Sequence, residues 1–323
     1  MKELHYLNKY FIKYKYRFLL GILITIVAQI FSLFTPKLIS KSLNIIEEYI
    51  KNPIKDSSLI KQELLLSLGL IIGATIIAGF LTFLMRQTLT VMSRYIEFDL
   101  KNEVFQHYER LSQSFYKQNR TGDLMNRISE DVGKVRMYVG PAVMYTINTF
   151  IRFAIVILYM YNVSPKLTLY TLLPLPLLSY CIFKLSSEIN KRSTIYQENL
   201  SNLSSFSQET FSGIRVIKAY ALEGQNKKAF NNLSQESREK NMRLAVVNAL
   251  FGPLMILLIG LSNLVVIYFG GMMYIEGTIP NIGTIAEFIL YVNMLTWPVA
   301  SIGWVSSLVQ EAAASQKRIN EFL

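Results

Sequence analysis

Two ionisable side chains lie inside long apolar stretches of the chain, where charge is costly. Arg152 lies in the stretch 139–161, and Glu287 lies in the stretch 282–305. A charged group inside a membrane usually pairs with another group or marks a functional site. Both residues fall in the half of their stretches away from the cytoplasm, so the sequence predicts an intramembrane Arg152–Glu287 pair. Two interpretations stay open: the pair locks two helices together, or it gates a central cavity.

The other residues that commonly perform chemistry form no catalytic or metal-binding pattern. The sequence has one cysteine, Cys181, and two histidines, His5 and His107, which are far apart. A single thiol excludes both a disulfide framework and a cysteine-based metal cluster. No Gly-x-x-x-x-Gly-Lys-Ser/Thr loop occurs, so the sequence lacks a P-loop cradle for phosphate. We therefore predict no catalytic residue, no metal site and no cofactor bound by this segment.

Polar and aromatic residues within the apolar stretches are candidates for the wall of a substrate cavity. These candidates are Asn148, Asn263, Asn293 and Trp297. Amide and aromatic groups on an otherwise apolar wall suit a cavity that accepts many amphipathic molecules. The competing interpretation is that these residues only pack helices together or face lipid.

Two short segments have the composition of exposed turns. Residues 114–123 read SFYKQNRTGD, in which Thr121 or Asp123 can cap the next helix and Gly122 allows a tight reversal. Residues 209–220 read ETFSGIRVIKAY and predict a short helix with an apolar side and exposed basic residues. Each segment is either a surface that docks a partner or an ordinary loop with a capping residue.

The elements that must position these residues are helices of membrane length. The sequence is 51% hydrophobic and only 17% charged, whereas soluble domains are about one quarter charged. A membrane-spanning helix needs about 20 mostly apolar residues, and six stretches satisfy this requirement. We therefore predict an all-α polytopic membrane protein. The predicted spans are about 18–39, 64–85, 139–161, 166–186, 247–275 and 282–305.

Two long polar segments, 86–138 and 187–246, separate the predicted spans. Neither contains proline, and residues that favour helices dominate both. Structureless loops of this length are uncommon in compact proteins. The sequence therefore predicts that the membrane helices continue as helical arms and reverse near Gly122 and Gly213.

The distribution of basic residues predicts the orientation in the membrane. The net charge is +11, and the short segment 1–17 carries five Lys or Arg residues against one acid. Cytoplasmic segments near membrane helices carry an excess of Lys and Arg. We therefore predict a multi-pass protein of the cell membrane with both termini and both arms in the cytoplasm. This topology explains the basic charge without nucleic acid as a partner.

Three motifs carry a resemblance to a known family. The first motif is FY..NRTGDLM.RI..DV over residues 115–132, and the second is E...GIRVIKAY..E over residues 209–223. The third lies between Tyr291 and Ile319 and includes LTWP, GW and RI. With these motifs, the chain resembles the transmembrane domain of ATP-binding-cassette (ABC) exporters of the bacterial multidrug and lipid type, over nearly its whole length.

The resemblance implies that the two turns are coupling helices, which dock into nucleotide-binding domains. It also implies a domain-swapped dimer, homomeric or heteromeric, whose central cavity alternates between inward-open and outward-open states. ATP and Mg²⁺ are expected in a nucleotide-binding domain after residue 323, or on a separate chain. The first coupling helix contains Phe115, Tyr116, Asn119, Arg120, Thr121, Gly122 and Asp123. The second contains Glu209, Gly213, Ile214, Arg215, Val216, Lys218 and Ala219.

The sequence therefore predicts the membrane-spanning half of an ATP-driven exporter of amphipathic small molecules. Its expected partners are a second transmembrane subunit, nucleotide-binding domains, the lipid bilayer and the substrate. Two alternatives stay open: a secondary transporter or channel, and a non-transporting membrane scaffold or receptor. Ion-coupled carriers usually place several acidic residues or histidines within their spans. Glu287 is the only acid well inside a predicted span, which disfavours the first alternative.

Overall fold

The computed structural model describes residues 2–51, 57–321 and 323, and within these ranges the chain consists of helices and short turns. A 3₁₀ segment, Lys2–Leu7, precedes the first α-helix. The helices before the first turn and around it are α1 (Asn8–Lys13), α2 (Lys15–Lys51), α3 (Ser57–Glu109), α4 (Gln113–Gln118), α5 (Thr121–Asn126), α6 (Val132–Met137) and α7 (Val143–Val163). The remaining helices are α8 (Pro165–Leu172), α9 (Pro174–Ser212), α10 (Ile214–Ala219), α11 (Glu223–Ile275) and α12 (Gly283–Asn320).

Helices α5, α6 and α7 form one long helix that contains two π-helical turns. The π turns are Arg127–Asp131 and Tyr138–Ala142. The second contains Pro141, which has no backbone N–H and cannot complete the regular hydrogen-bond pattern. The first presents Arg127 and Asp131 on a locally widened helix, a feature that often accompanies functional sites.

The longest helices are much longer than the thickness of a membrane. Helices α3 and α11 each contain 53 residues, or about 80 Å of α-helix, whereas the hydrocarbon core is about 30 Å thick. Helix α3 continues through the polar residues 86–109 without a break, and the first part of the predicted arm is therefore helical. That these extensions lie in the cytoplasm stays a prediction.

Membrane-length apolar helices are the main feature that the sequence predicted. Within the described residues, five helices are long and apolar enough to cross a bilayer: Lys15–Lys51, Ser58–Glu109, Thr121–Val163, Glu223–Ile275 and Gly283–Asn320. The predicted span 166–186 is not among them, because it is divided between α8 and α9 at Leu173. Pro174 and Pro176 begin α9 and remove two backbone donors there. Six spans and a domain-swapped dimer stay predictions.

The chain divides into two compact units, residues 1–172 with 263–323, and residues 173–262. In the first unit, α2 and α3 pack along each other, and α12 packs against α2, α6 and α7. The buried core of this unit lies beside the polar half of α3 and includes Leu7, Ile96, Leu100, Val132 and Ile319. In the second unit, α9 and α11 are linked by the Phe206 and Phe230 rings, whose centroids are 6.3 Å apart.

The first unit also contains a close contact between the ends of two helices. The backbone N–H of Gly283, at the start of α12, donates to Asn44 Oδ1 on α2 at 2.9 Å. A Cβ at residue 283 would overlap both Asn44 Oδ1 and the carbonyl oxygen of Ser40. Because one of these atoms belongs to the backbone, it cannot move aside as a flexible side chain would. Only glycine allows this approach of α2 to α12.

We expect Gly283→Ala to lower the thermal unfolding temperature of the protein in detergent. The added methyl forces α12 away from α2, and overpacking of this kind costs about 1–3 kcal/mol. Gly271→Ala is the matched control, because a Cβ at residue 271 meets no atom within 4 Å. Equal unfolding temperatures for the two variants would contradict the close contact.

Candidate functional site

The first turn contains a short exposed helix folded back on the end of α3. All six residues of α4 are at least partly exposed. The Tyr116 hydroxyl donates to the carbonyl oxygen of Tyr108 at 2.5 Å, and Asn119 Nδ2 donates to the Phe115 carbonyl at 3.0 Å. The Phe115 ring packs against the core of the first unit and meets Tyr116 edge-to-face. Tyr116 is left largely exposed, so the turn presents an aromatic and basic surface.

The structure corrects the predicted roles of three residues in this turn. Neither Thr121 nor Asp123 caps α5; its N-cap residue is Arg120, without a side-chain cap. Asp123 instead forms an ion pair with Arg127 at 3.0 Å, four residues later. Gly122 lies within the first turn of α5, and the chain reverses at Asn119 and Arg120, which are both extended. Two consecutive extended residues change the chain direction without a left-handed glycine.

A network of charged groups connects the first turn to the end of α12. Arg318 on α12 donates through both Nε and Nη2 to Asp131, with a Nε–Oδ2 distance of 2.9 Å. Arg127 donates to the carbonyl oxygen of Arg318 and pairs with Asp123. Asp131 is 1% exposed, and burial alone would raise its pKa. Hydrogen bonds from Arg318 and Ser315 outweigh burial and lower the pKa of Asp131.

The N-terminal segment forms polar contacts with both the end of α12 and α3. Asn320 Nδ2 donates to the Glu3 carboxylate at 3.1 Å, so the start of the chain contacts the end of α12. Lys9 and Tyr10 both donate to Glu103 on α3. Burial acts against the charge of Glu103, but these hydrogen bonds and one from Tyr6 outweigh it and lower the pKa of Glu103. The N-terminal segment, α3, the turn and α12 are thus joined by polar contacts that are partly buried, here called the arm network.

The contacts of the arm network were not predicted from the sequence. Its motif residues Arg127, Asp131 and Arg318 were noticed only as part of the family resemblance. The spacing of Asp123 and Arg127, four residues apart on a helix, could have indicated one pair. No local spacing could indicate the Asp131–Arg318 pair, because 187 residues separate its members.

The second turn presents a short helix with an apolar surface. All six residues of α10 are at least partly exposed, and Phe211, Val216 and Tyr220 are 73%, 57% and 74% exposed. The Glu209 carbonyl accepts from Gly213 N–H at 2.8 Å, which ends α9. The turn is completed by Ala221, whose positive φ of 53° was not predicted, since the sequence has alanine there and not glycine.

Basic groups flank this apolar surface. Arg215 is exposed, and Lys218 forms an ion pair with Glu223 at 2.9 Å across the end of α10. Of the residues predicted for the second coupling helix, Glu209 lies near the end of α9 and Gly213 directly precedes α10. The other five, Ile214, Arg215, Val216, Lys218 and Ala219, lie on α10 itself.

The structure gives the two intramembrane charges separate partners. Arg152 Nε donates to Gln29 Oε1 at 2.9 Å, and Gln29 Nε2 donates to Asn148 Oδ1 at 2.6 Å. Glu287 is buried and accepts from the Tyr291 hydroxyl at 2.6 Å, one turn away on α12. Among the described residues, no ion pair joins Arg152 to Glu287. The sequence gives the depth of each charge but not its direction around the helix axis, and Gln29 was not foreseen as a partner.

Among the described residues, the four predicted cavity residues lie in different surroundings. Asn148 belongs to the hydrogen-bonded chain with Gln29, whereas Asn293 and Trp297 are exposed on one face of α12. Asn263 has a buried Oδ1 without a partner among the described residues. A separate apolar cavity of about 520 Å³ lies between α7 and α12. Its lining includes Tyr145, Thr149, Phe150, Phe153, Ile302 and Ser306.

A family description and several curated relatives all relate this chain to ABC transporters. The family description of the ABC transporter transmembrane region matches residues 18–299. The chain is 29% identical, over its full length and 54% of the relative, to the multidrug resistance-like ATP-binding protein MdlA of Buchnera aphidicola subsp. Schizaphis graminum. It is 28% identical to MdlA of Escherichia coli K12, over 81% of the chain and 44% of the relative.

A third relative is the probable multidrug resistance ABC transporter ATP-binding/permease protein YheI of Bacillus subtilis. The identity is 27%, over 98% of the chain and 53% of the relative. The chain therefore spans about half the length of the curated relatives it matches. The family description matches most of the sequence. The membrane-length helices of the chain agree with a transmembrane region. The chain belongs to the family of ABC transporter transmembrane regions.

Proposed function

We propose that this chain is the membrane-spanning half of an ATP-driven exporter of amphipathic small molecules. In this proposal, nucleotide-binding domains that bind ATP and Mg²⁺ dock onto α4 and α10. Two such membrane halves, identical or related, surround one substrate pathway and alternate between inward-open and outward-open states. The names of the relatives, which describe multidrug resistance-like and ATP-binding proteins, support this assignment.

The observation that carries the proposal is the exposed apolar surface of the second turn. Phe211, Val216 and Tyr220 leave most of their apolar side chains exposed. A short helix with exposed apolar and aromatic residues suits insertion into a groove of a partner. Flanking Arg215 and Lys218 can add contacts to acidic groups at the rim of such a groove.

The arm network supplies the mechanical part of the proposal. Asp131 and Arg318 join the helix that follows α4 to the end of α12. Because α3 is attached to the same network through Glu103, a displacement of α4 moves several long helices together. Rigid-body movement of packed elements is a common form of two-state switching. The network therefore suits transmission of ATP-driven movement from the turn to the membrane.

In this proposal, the substrate pathway includes the apolar cavity between α7 and α12. The apolar cavity between α7 and α12 has an aromatic lining with a few hydroxyl groups, as amphipathic ligands require. Asn293 and Trp297, exposed on one face of α12, would complete a cavity wall when a second membrane half is present. Arg152 would hold α7 beside α2 through Gln29, whereas the Glu287–Tyr291 hydrogen bond lies within α12.

The proposal is tested by the energy source of transport. The full-length protein is reconstituted in vesicles with its ATP sites outside, and uptake of the amphipathic dye Hoechst 33342 is followed by fluorescence. We expect uptake that requires ATP and Mg²⁺ and persists when proton and sodium gradients are dissipated. Uptake that follows an imposed ion gradient without ATP would support the secondary transporter instead. Absence of uptake under both conditions, with several dyes of either charge, would support the scaffold.

A further inference from the structure

The second unit contains a cavity with a strongly basic lining. The cavity has a volume of about 270 Å³ and lies between α9 and α11. Four basic side chains line it against a single carboxylate. The lining residues are Glu188, Lys191, Arg192, Ile195, Lys240 and Arg243.

Part of this charge is already neutralised within the protein. Arg192 pairs with Glu188 at 2.7 Å, and Lys240 pairs with Glu236 at 2.6 Å. Arg192 Nη1 also donates to the carbonyl oxygen of Arg243 at 2.9 Å, which fixes the two helices beside each other. Among the described residues, Lys191 and Arg243 form no ion pair. The cavity therefore retains two basic groups outside ion pairs, Lys191 and Arg243, and their charge favours an anion there.

The depth of the cavity follows from two independent counts along the helices. Lys191 lies five residues after the end of the predicted span 166–186, and Arg243 lies four residues before the start of span 247–275. At 1.5 Å per residue, these positions are about 7.5 Å and 6 Å beyond the hydrocarbon core. The headgroup layer is about 5–8 Å thick on each side of a bilayer. With both spans as predicted, the counts place the basic groups at the level of the lipid phosphates; in the described structure the first of these stretches is divided at Leu173.

We propose that this cavity binds the phosphate diester headgroup of an anionic phospholipid from the cytoplasmic leaflet. The guanidinium of Arg243 can contact two phosphate oxygens at once, and Lys191 adds a point charge. The cavity is smaller than a pocket for a drug-sized molecule, about 300–1,000 Å³, and suits a headgroup whose chains stay in the bilayer. Its lining contains no aromatic ring on which a nucleotide base could stack.

The inference depends on the membrane location of α9 and α11 and not on the transport proposal. An anionic lipid held between these helices would join them just above the segments that lead to the second turn. If the lipid site were disproved, the exporter assignment would be unchanged, because lipid binding and ATP-driven transport are tested by different measurements.

Lipid selectivity measures this site directly. The full-length protein is reconstituted in phosphatidylcholine vesicles with spin-labelled phosphatidylglycerol or spin-labelled phosphatidylcholine, and the immobilised fraction of each label is compared. We expect the wild type to prefer phosphatidylglycerol. Lys191→Gln with Arg243→Gln removes the two unpaired charges and should reduce that preference about tenfold, since each basic group near a membrane surface contributes appreciably to anion binding. Both side chains are exposed, so the variant keeps the packing of the unit.

The matched control is Lys227→Gln with Lys228→Gln, which removes the same number of charges from the same unit, both of them on α11. Lys228 lies fifteen residues from Arg243, about 22 Å along α11, and both control residues are exposed. We expect the control to keep the wild-type preference within twofold. An equal loss in both variants would assign the effect to overall surface charge and overturn the site. Complete displacement of the label by inorganic phosphate, but not by chloride of equal ionic strength, would assign the cavity to free phosphate and overturn the lipid.

Discussion

Replacement of Arg318 by alanine is expected to destabilise the protein more than any other single change considered above. The guanidinium of Arg318 forms two hydrogen bonds to Asp131, whose side chain is buried. Its removal takes away the charged donor that stabilises this buried carboxylate most strongly. Breaking a buried ion pair costs about 3–5 kcal/mol, and the partial exposure of Arg318 places this case at about 3 kcal/mol. The unfolding temperature in detergent should fall by roughly 4 °C.

Two comparisons make this prediction specific. Arg238→Ala removes the same side chain from an exposed position on α11 and should change the unfolding temperature by less than about 2 °C. Arg318→Lys keeps the charge but not the planar pair of donors, so it should recover only part of the loss. If Arg318→Ala and Arg238→Ala unfold at the same temperature, the arm network does not stabilise the fold.

The pH dependence of the same variant gives an independent check. The pKa of Asp131 is lowered in the folded wild type, so its contribution to stability is present above the ordinary pKa and is lost as pH falls through the folded-state value. In Arg318→Ala, the guanidinium no longer offsets burial, so the pKa of Asp131 rises above its value in the wild type and the proton relieves the buried charge. The stability difference between the two proteins should therefore be largest at neutral pH and narrow below about pH 5. A difference that stays constant from pH 7 to pH 4 would assign the loss to packing.

The helical class of this fold could be predicted because it depends on local properties. Long apolar runs and proline-free polar segments each specify helix within a few turns, and the structure has helices in both. The stretch 166–186 shows where composition is insufficient. Its residues are apolar enough for a span, but Pro174 and Pro176 interrupt the backbone hydrogen bonds that a continuous helix needs.

The candidate site was less predictable, because its contacts depend on directions that sequence spacing does not define. Short helices, α4 and α10, lie at the two segments whose composition differs from that of the arms. Asp123 was expected to cap α5, but an arginine one turn later offers a stronger partner than the helix N–H groups. Arg152 and Glu287 were placed at similar depth, yet each points toward a different neighbour.

Substitution of Val216 by aspartate is expected to abolish coupling between ATP hydrolysis and transport while leaving the fold intact. Val216 is on α10 and 57% exposed, so it adds little to the stability of its unit. In the proposed complex it is buried in a groove of the nucleotide-binding domain, where an unpaired carboxylate is strongly unfavourable. We expect ATP-dependent dye uptake to fall at least tenfold, because a buried unpaired charge exceeds the roughly 1.4 kcal/mol that corresponds to that factor.

Two controls separate docking from folding in this variant. Ser234→Asp introduces the same charge at an exposed position on α11 and should leave uptake within twofold of the wild type. The unfolding temperature of the Val216→Asp protein should match that of the wild type, since the side chain is outside the core. Normal uptake by Val216→Asp would show that α10 does not transmit ATP-driven movement, and the exposed surface of the second turn would then need another partner. A lowered unfolding temperature would instead place Val216 among the residues that hold the second unit together, so the surface would no longer be free for docking.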